Sequence, residues 1–279
     1  MKKYNDVQFV NNVKQPTFGS LVPTKLVFES TYEDDFKLPK KTKISSEIID
    51  VAVNCLTKYL LSTNIKQAFR VPLLGAKIYA YNKTKNKEKY QEILNGLTLI
   101  NGLNKQSIYV AINLAQFEGL FSKAPIFFKK VETIDVTDDV YDLVYALIKR
   151  NIRFFEEHGP VGKISFDFLD GKPENIANAS LDLITRDAIW NLNSTKKFPD
   201  EQQRLLLVLH YVMFKHCPEG VSKDLKTLGI FDARANTSYT IETKDLPYKL
   251  LTKIEKLCGY EKSAFKDPKE KPKKEKKEK

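Results

Sequence analysis

The residues Ser180 to Ser194, Ser-Leu-Asp-Leu-Ile-Thr-Arg-Asp-Ala-Ile-Trp-Asn-Leu-Asn-Ser, carry oxygen-bearing side chains at spacings that could serve a metal site. Leu181, Ile184, Ala188 and Ile189 are apolar with polar residues among them, and Thr185-Arg186-Asp187 makes a short turn. The pattern predicts a β-hairpin with strands over 180–184 and 188–193. Asp182 then stands on the first strand and Asn191 and Asn193 on the second. A carboxylate can in general serve as a ligand for a hard cation, which prefers oxygen and needs negative charge to be held. Asn191 and Asn193 are neutral amides that can lend an oxygen but no charge. The plain alternative for Asp182 is a turn or solvent-facing residue at a strand edge. Asp187 most simply caps the turn through its own backbone.

The neighbouring segments supply a frame for the hairpin. Asp139 to Glu157 has apolar residues at Val140, Leu143, Val144, Leu147, Ile148 and Ile152, a helical spacing stopped by Gly159 and Pro160, and a helix is predicted over 141–158. Residues 163–169 alternate as a strand. Pro199-Asp200 opens a helix over 201–216 whose Leu205 to Leu209 run is apolar on all sides, as in a buried helix. Two further strands are predicted over 227–232 and 237–242, around an Arg-Ala-Asn-Thr turn.

The hairpin resembles the central one of the PD-(D/E)XK nuclease superfamily, and more closely a branch of uncharacterised bacterial and phage proteins that read Asp-Phe-Leu-Thr-x-Asp-Thr-Leu-Trp-Asp-Phe-Lys here. Asp182, Thr185, Asp187 and Trp190 match that pattern. The resemblance implies that the first aspartate and the acid of the D-x-K element hold magnesium, which clamps the phosphate and lowers the pKa of bound water, while the lysine orients or activates that water. Asn191 stands where the second acid is expected, Asn193 where the lysine is, and Leu206 where the related sequences carry a glutamine. Three departures in one pocket imply a catalytically degenerate member. Members that relocate the lysine or the acid exist, and Lys196, Lys197 and Glu201 are the candidates for that here. The α-β-β-β-α-β order expected from periodicity is also the core order of the superfamily.

The charge balance is +11 over 279 residues, and 42% of them are hydrophobic, enough for a full core. The end of the chain, Lys266 to Lys279, has eight lysines, four acids and no apolar residue, and is expected to be disordered. The remaining charge spreads over Lys83 to Lys89, Lys129, Lys130, Arg150, Lys163, Lys196, Lys197 and others. Of these, Lys129, Lys130, Arg150, Lys163, Lys196 and Lys197 are the candidate nucleic-acid contacts, through counterion release; a solvated lysine-rich surface is the plain alternative. No apolar run reaches the ~18 residues that span a membrane, and the amino terminus lacks an apolar signal segment, so a cytoplasmic protein with no membrane partner is expected. Cys55, Cys217 and Cys258 are scattered and show no zinc-type pairing with His158, His210 and His216. Glycine-rich phosphate loops and Gly-x-Ser-x-Gly are absent.

Residues 1–40 read as an extended or weakly stranded arm. Helices are predicted over 45–62, 87–101 and 106–117, and Phe121 to Phe128 looks strand-like. Tyr79, Tyr81, Phe117, Phe121, Phe127 and Phe128 have core spacing, and would stack on bases if exposed beside the lysines. The expectation is an α/β protein with a PD-(D/E)XK nuclease-like αβββαβ core: 1–136 an arm and helical accessory region, 137–263 the core, 264–279 the lysine-rich tail. Its function is expected to be binding DNA, or scaffolding a nucleic-acid-processing partner, without cutting and without a cofactor. The alternatives are an active magnesium-dependent DNA nuclease with relocated residues, and a protein-binding module in phage–host conflict.

Overall fold

A computed structural model describes residues 4–17, 19–39, 42–62, 64–122, 132–168, 171, 173–218 and 224–266. Strands β3 (Lys163–Asp167), β5 (Ser180–Ile184), β6 (Ala188–Asn193), β7 (Thr227–Asp232) and β8 (Thr237–Glu242) form one mixed sheet with β2 (Phe28–Thr31), in the order β2-β8-β7-β6-β5-β3. All neighbours are antiparallel except β6 and β7. A parallel pair needs a long crossover, and helix α9 (Glu201–His216) provides it. The short strands β1 (Tyr4–Asn5) and β4 (Ile176–Asn178) pair separately.

The hairpin turns where the alternation places it, closed by Thr185 N–H to the Ala188 carbonyl at 3.0 Å. The Asp187 carbonyl accepts the Lys226 and Thr227 N–H groups, tying the turn to the start of β7. Along β6 the side chains alternate between two cores. Ala188, Trp190 and Leu192 enter one hydrophobic cluster and Ile189 the other, so Asn191 and Asn193 stand on the Ile189 side.

Helix α8 (Asp138–Glu157) covers the Trp190 face together with α2 (Ser46–Ser62) and α6 (Lys105–Ala115), and one cluster joins Ile49, Leu56 and Ile112 to Leu147, Leu183 and Phe231. The Trp190 ring lies over Gly229, its partner across the ladder, where a Cβ would stand 2.1 Å from the indole. On the other face α9 is buried from Arg204 to Phe214 except at the partly buried Leu206, as its largely all-round apolar run requires, and α10 (Tyr248–Cys258) packs beside it. A capping box between Asp200 and Gln203 starts α9, satisfying two of its orphan donors.

The first forty residues depart from an extended arm. Asp6–Asn12 is a helix, α1, whose start is fixed by a capping box between Asn5 and Gln8, while β2 does pair as an edge strand. The periodicity assigns no element to 64–83, which holds α3 (Ile65–Ala68), α4 (Arg70–Ile78) and a π-helical turn, Tyr79–Lys83. Phe121 and Ser122 end helix α7 (Glu118–Ser122) instead of starting a strand. The rest of the expected 121–128 strand, with Phe127 and Phe128, lies outside the described residues, as do Lys129, Lys130 and the tail from Asp267. The helix expected over 87–101 is α5 (Lys87–Gly96), followed by a 3-10 turn, Leu97–Leu99.

Candidate functional site

The β5–β6 ladder pairs Ile184 with Ile189 and Leu183 with Trp190. One step further the Asp182 side chain takes the place of a backbone acceptor: its Oδ2 receives the Leu192 N–H at 2.9 Å. Its Oδ1 accepts from Lys58 Nζ of α2, a residue 124 positions upstream. The pair is largely enclosed, with the Lys58 side chain 12% and the Asp182 side chain 26% exposed. Burial acts to lower the Lys58 pKa, but the Asp182 charge, with Cys55 and Glu118, overcomes it and holds the ammonium above its ordinary value.

Asp50, Asn54 and Lys58 are four residues apart and share one edge of α2, which crosses β6 near its end. Asn54 Nδ2 reaches the Leu192 carbonyl at 3.4 Å. Asp50 is half-buried as a residue, but its Oδ1 is fully enclosed and accepts no hydrogen bond. Burial pushes its carboxyl up to about 7; the Ser194 hydroxyl opposes the rise, and negative charge on Asp232, Asp182 and Glu118 adds to it. Ser194 is 1% exposed, and its Oγ, like Asn54 Oδ1, has no partner meeting hydrogen-bond geometry. Buried polar atoms left without partners cost free energy and call for a water or ligand.

Asp232, at the end of β7, is saturated. Its Oδ2 accepts from the Thr195 and Lys196 N–H groups and the Thr195 hydroxyl, and its Oδ1 from the Arg234 and Ala235 N–H groups. It fastens the loops that leave β6 and β7. Asn193 is equally occupied, with Oδ1 on Ser194 N–H and Nδ2 on Thr195 Oγ1. Asn191 is half-buried on the α9 side of the sheet, and Leu206 packs into the core on that side.

The residues expected from sequence are thus divided. Asp182 meets Lys58, not Lys196 or Lys197, whose side chains are exposed, and Glu201 lies in the first turn of α9 beside Gln202. Arg150 is bound to Asp34 and to the Ala233 and Arg234 carbonyls, so its guanidinium is committed within the fold. Hydrogen bonds from Arg150 hold the Asp34 carboxyl below its ordinary value against the opposing effect of burial. This pair lines an open cleft with Tyr32, Phe36, Arg153 and Phe154, and its central charges already neutralise one another. Lys163 is exposed at the start of β3, with Nζ 5.4 Å from the Phe166 ring. Asp50 and Lys58 carried no sequence signal beyond polar positions in an apolar helix, and only the packing of α2 on β6 brings them to Asp182.

Magnesium does not fit the expected positions. Asp182 is neutralised by Lys58, Asn191 brings no charge, and the Asp232 oxygens are taken. Among the described residues no three His, Cys, Asp or Glu side chains are grouped to hold a metal ion, and no helix is long and apolar enough to cross a membrane. No protein family, no characterised protein and no solved structure matches this chain.

Proposed function

We propose that this chain is a degenerate nuclease-like protein of the PD-(D/E)XK kind, which binds nucleic acid without cutting it. The order α8, β3, β5, β6, α9, β7, with β6 and β7 parallel and joined through α9, supports the likeness in fold. The observation that carries the loss of cutting is the engagement of both Asp182 oxygens, one by Lys58 Nζ and one by Leu192 N–H. A carboxylate already balanced by an internal ammonium has little charge left for a divalent cation, and the two amides on β6 add none.

Asp50 favours a second function, hydrolysis at a relocated site. A carboxyl poised near neutral pH within electrostatic reach of Asp182 is what general acid–base chemistry requires. One assay separates the two: the purified chain and its Asp50→Asn variant are incubated with labelled single- and double-stranded DNA in magnesium, manganese or EDTA, and binding is measured alongside. The expected result is binding with no cleavage by either protein. Metal-dependent cleavage that Asp50→Asn abolishes would establish the relocated enzyme instead.

A further inference from the structure

We infer that the π-helical turn after α4 presents a stacking and phosphate-tracking surface for single-stranded nucleic acid, centred on Tyr81. The inference rests on the nucleic-acid function proposed above and adds the surface and the strand type. Residues 77 to 90 contain five lysines, Lys77, Lys83, Lys85, Lys87 and Lys89, against one acid, Glu88. All five lysines are exposed, and among the described residues none is paired with a carboxylate. Two of them converge on one ring: Lys77 Nζ lies 6.0 Å and Lys87 Nζ 5.9 Å from the Tyr81 centroid, and Lys89 Nζ lies 5.4 Å from that of Tyr79.

The backbone is built to hold that ring outward. Thr84 N–H bonds the Tyr79 carbonyl at 3.0 Å, the i to i+5 closure of a π turn, and Asn86 N–H bonds the Ala80 carbonyl at 2.9 Å. The extra residue in the turn separates the fates of two tyrosines. Tyr79 packs inward against Phe117, with centroids 5.4 Å apart, while Tyr81 stays 41% exposed and is braced edge-on by Tyr90 at 6.1 Å. Lys85 adopts the left-handed conformation, φ 51°, to close the loop, and Asn86 then caps α5 by accepting the Glu88 and Lys89 N–H groups. Such turns are rare and frequent at functional sites.

Clustered ammonium groups without acidic partners repel one another, and a polyanion relieves that repulsion while releasing counterions. A flat aromatic face among them selects for unpaired bases. In a duplex the base faces are buried in the stack, whereas a single strand can lay a base on the ring in any sequence.

Fluorescence anisotropy of the full chain with labelled oligothymidine and with a blunt duplex of equal length, over a salt series, tests the surface. The single strand is expected to bind more tightly than the duplex. Tyr81→Ala is expected to weaken it by about 5- to 100-fold with the salt slope and the melting temperature unchanged, which rules out a folding defect, and Tyr81→Phe to stay within about twofold, because the ring and not the hydroxyl stacks. Lys83→Gln with Lys85→Gln is expected to reduce the slope by about 1.4, at about 0.7 per lost contact on single strands. Parent-like binding by Tyr81→Ala would overturn the surface and leave nucleic-acid binding standing elsewhere on the chain. A preference for duplex would overturn the strand type. No binding of either oligonucleotide at the lowest salt would overturn both the surface and the function on which it rests.

Discussion

Asp50 is a carboxyl that burial brings to change its charge near neutral pH. Its folded pKa of about 7 lies above the ordinary aspartate value of 3.8. The unfolded chain therefore ionises first, and stability is fully present below about pH 4 and is lost as pH rises through the folded pKa. At about 1.4 kcal/mol per pKa unit, discounted for a half-buried position, the loss by pH 8 is about 2–4 kcal/mol. Asp50→Asn removes the titration and keeps an oxygen beside Ser194. Urea unfolding at pH 5 and pH 8 should show the variant gaining on the parent as pH rises, and equal differences at both pH values would place the Asp50 carboxyl in a solvated site. The contrast with Asp182 shows where sequence stops. Its place on the hairpin follows from alternation, but its partner Lys58 is on a helix 124 residues away, and no local pattern predicts that contact. Arg150 is the converse: a basic residue in sequence, it is an internal tie to Asp34 in the fold.

The sheet was more legible than the helices around it, because strand alternation and tight turns are local signals. The strands over 180–184, 188–193, 227–232 and 237–242 form as expected, and so does the buried helix α9. The seven-residue α1 escaped because so short a helix shows barely two turns of period, and its start depends on the Asn5–Gln8 box. Residues 64–83 escaped because Pro72 and Gly75 interrupt the pattern. Pro72 sits in the first turn of α4, where the missing N–H costs nothing, and a Cβ on Gly75 would stand 1.8 Å from the Phe117 carbonyl oxygen, so the glycine serves close packing. Gly229 plays the same part in the sheet, under Trp190. Gly229→Ala should displace the ring and destabilise by about 1–3 kcal/mol, as overpacking does. Trp190 is the only tryptophan, so its emission reports directly on the event. A lower melting temperature with a red-shifted native spectrum is expected, and an unchanged spectrum with an unchanged midpoint would mean that the ring has room to move.

At the scale of the whole molecule, the sheet has one hydrophobic cluster on each face, and the amino-terminal residues supply much of one and a few members of the other. Ile49, Leu56, Phe69, Ile108 and Ile112 share a cluster with Leu147, Trp190 and Phe231, while Val10, Leu21 and Val22 join α9 on the other face. The accessory helices are thus one wall of the core that carries Asp182, and Lys58 reaches that residue because α2 belongs to the wall. Sequence placed a junction near residue 136, where Thr137 precedes α8, and that is a boundary between elements through which the apolar packing continues. A fragment of residues 137–266 would lose the helices over Leu183 and Trp190, the edge strand β2 and the Lys58 ammonium together. It is expected to keep helical far-ultraviolet dichroism, bind an apolar dye and melt without a cooperative transition, the behaviour of a chain with secondary structure but no fixed packing. Adding residues 1–136 as a separate chain should restore a blue-shifted Trp190 emission if the wall alone is missing. Cooperative melting of the fragment by itself, with native tryptophan emission, would show instead that the sheet and α9 fold without the wall.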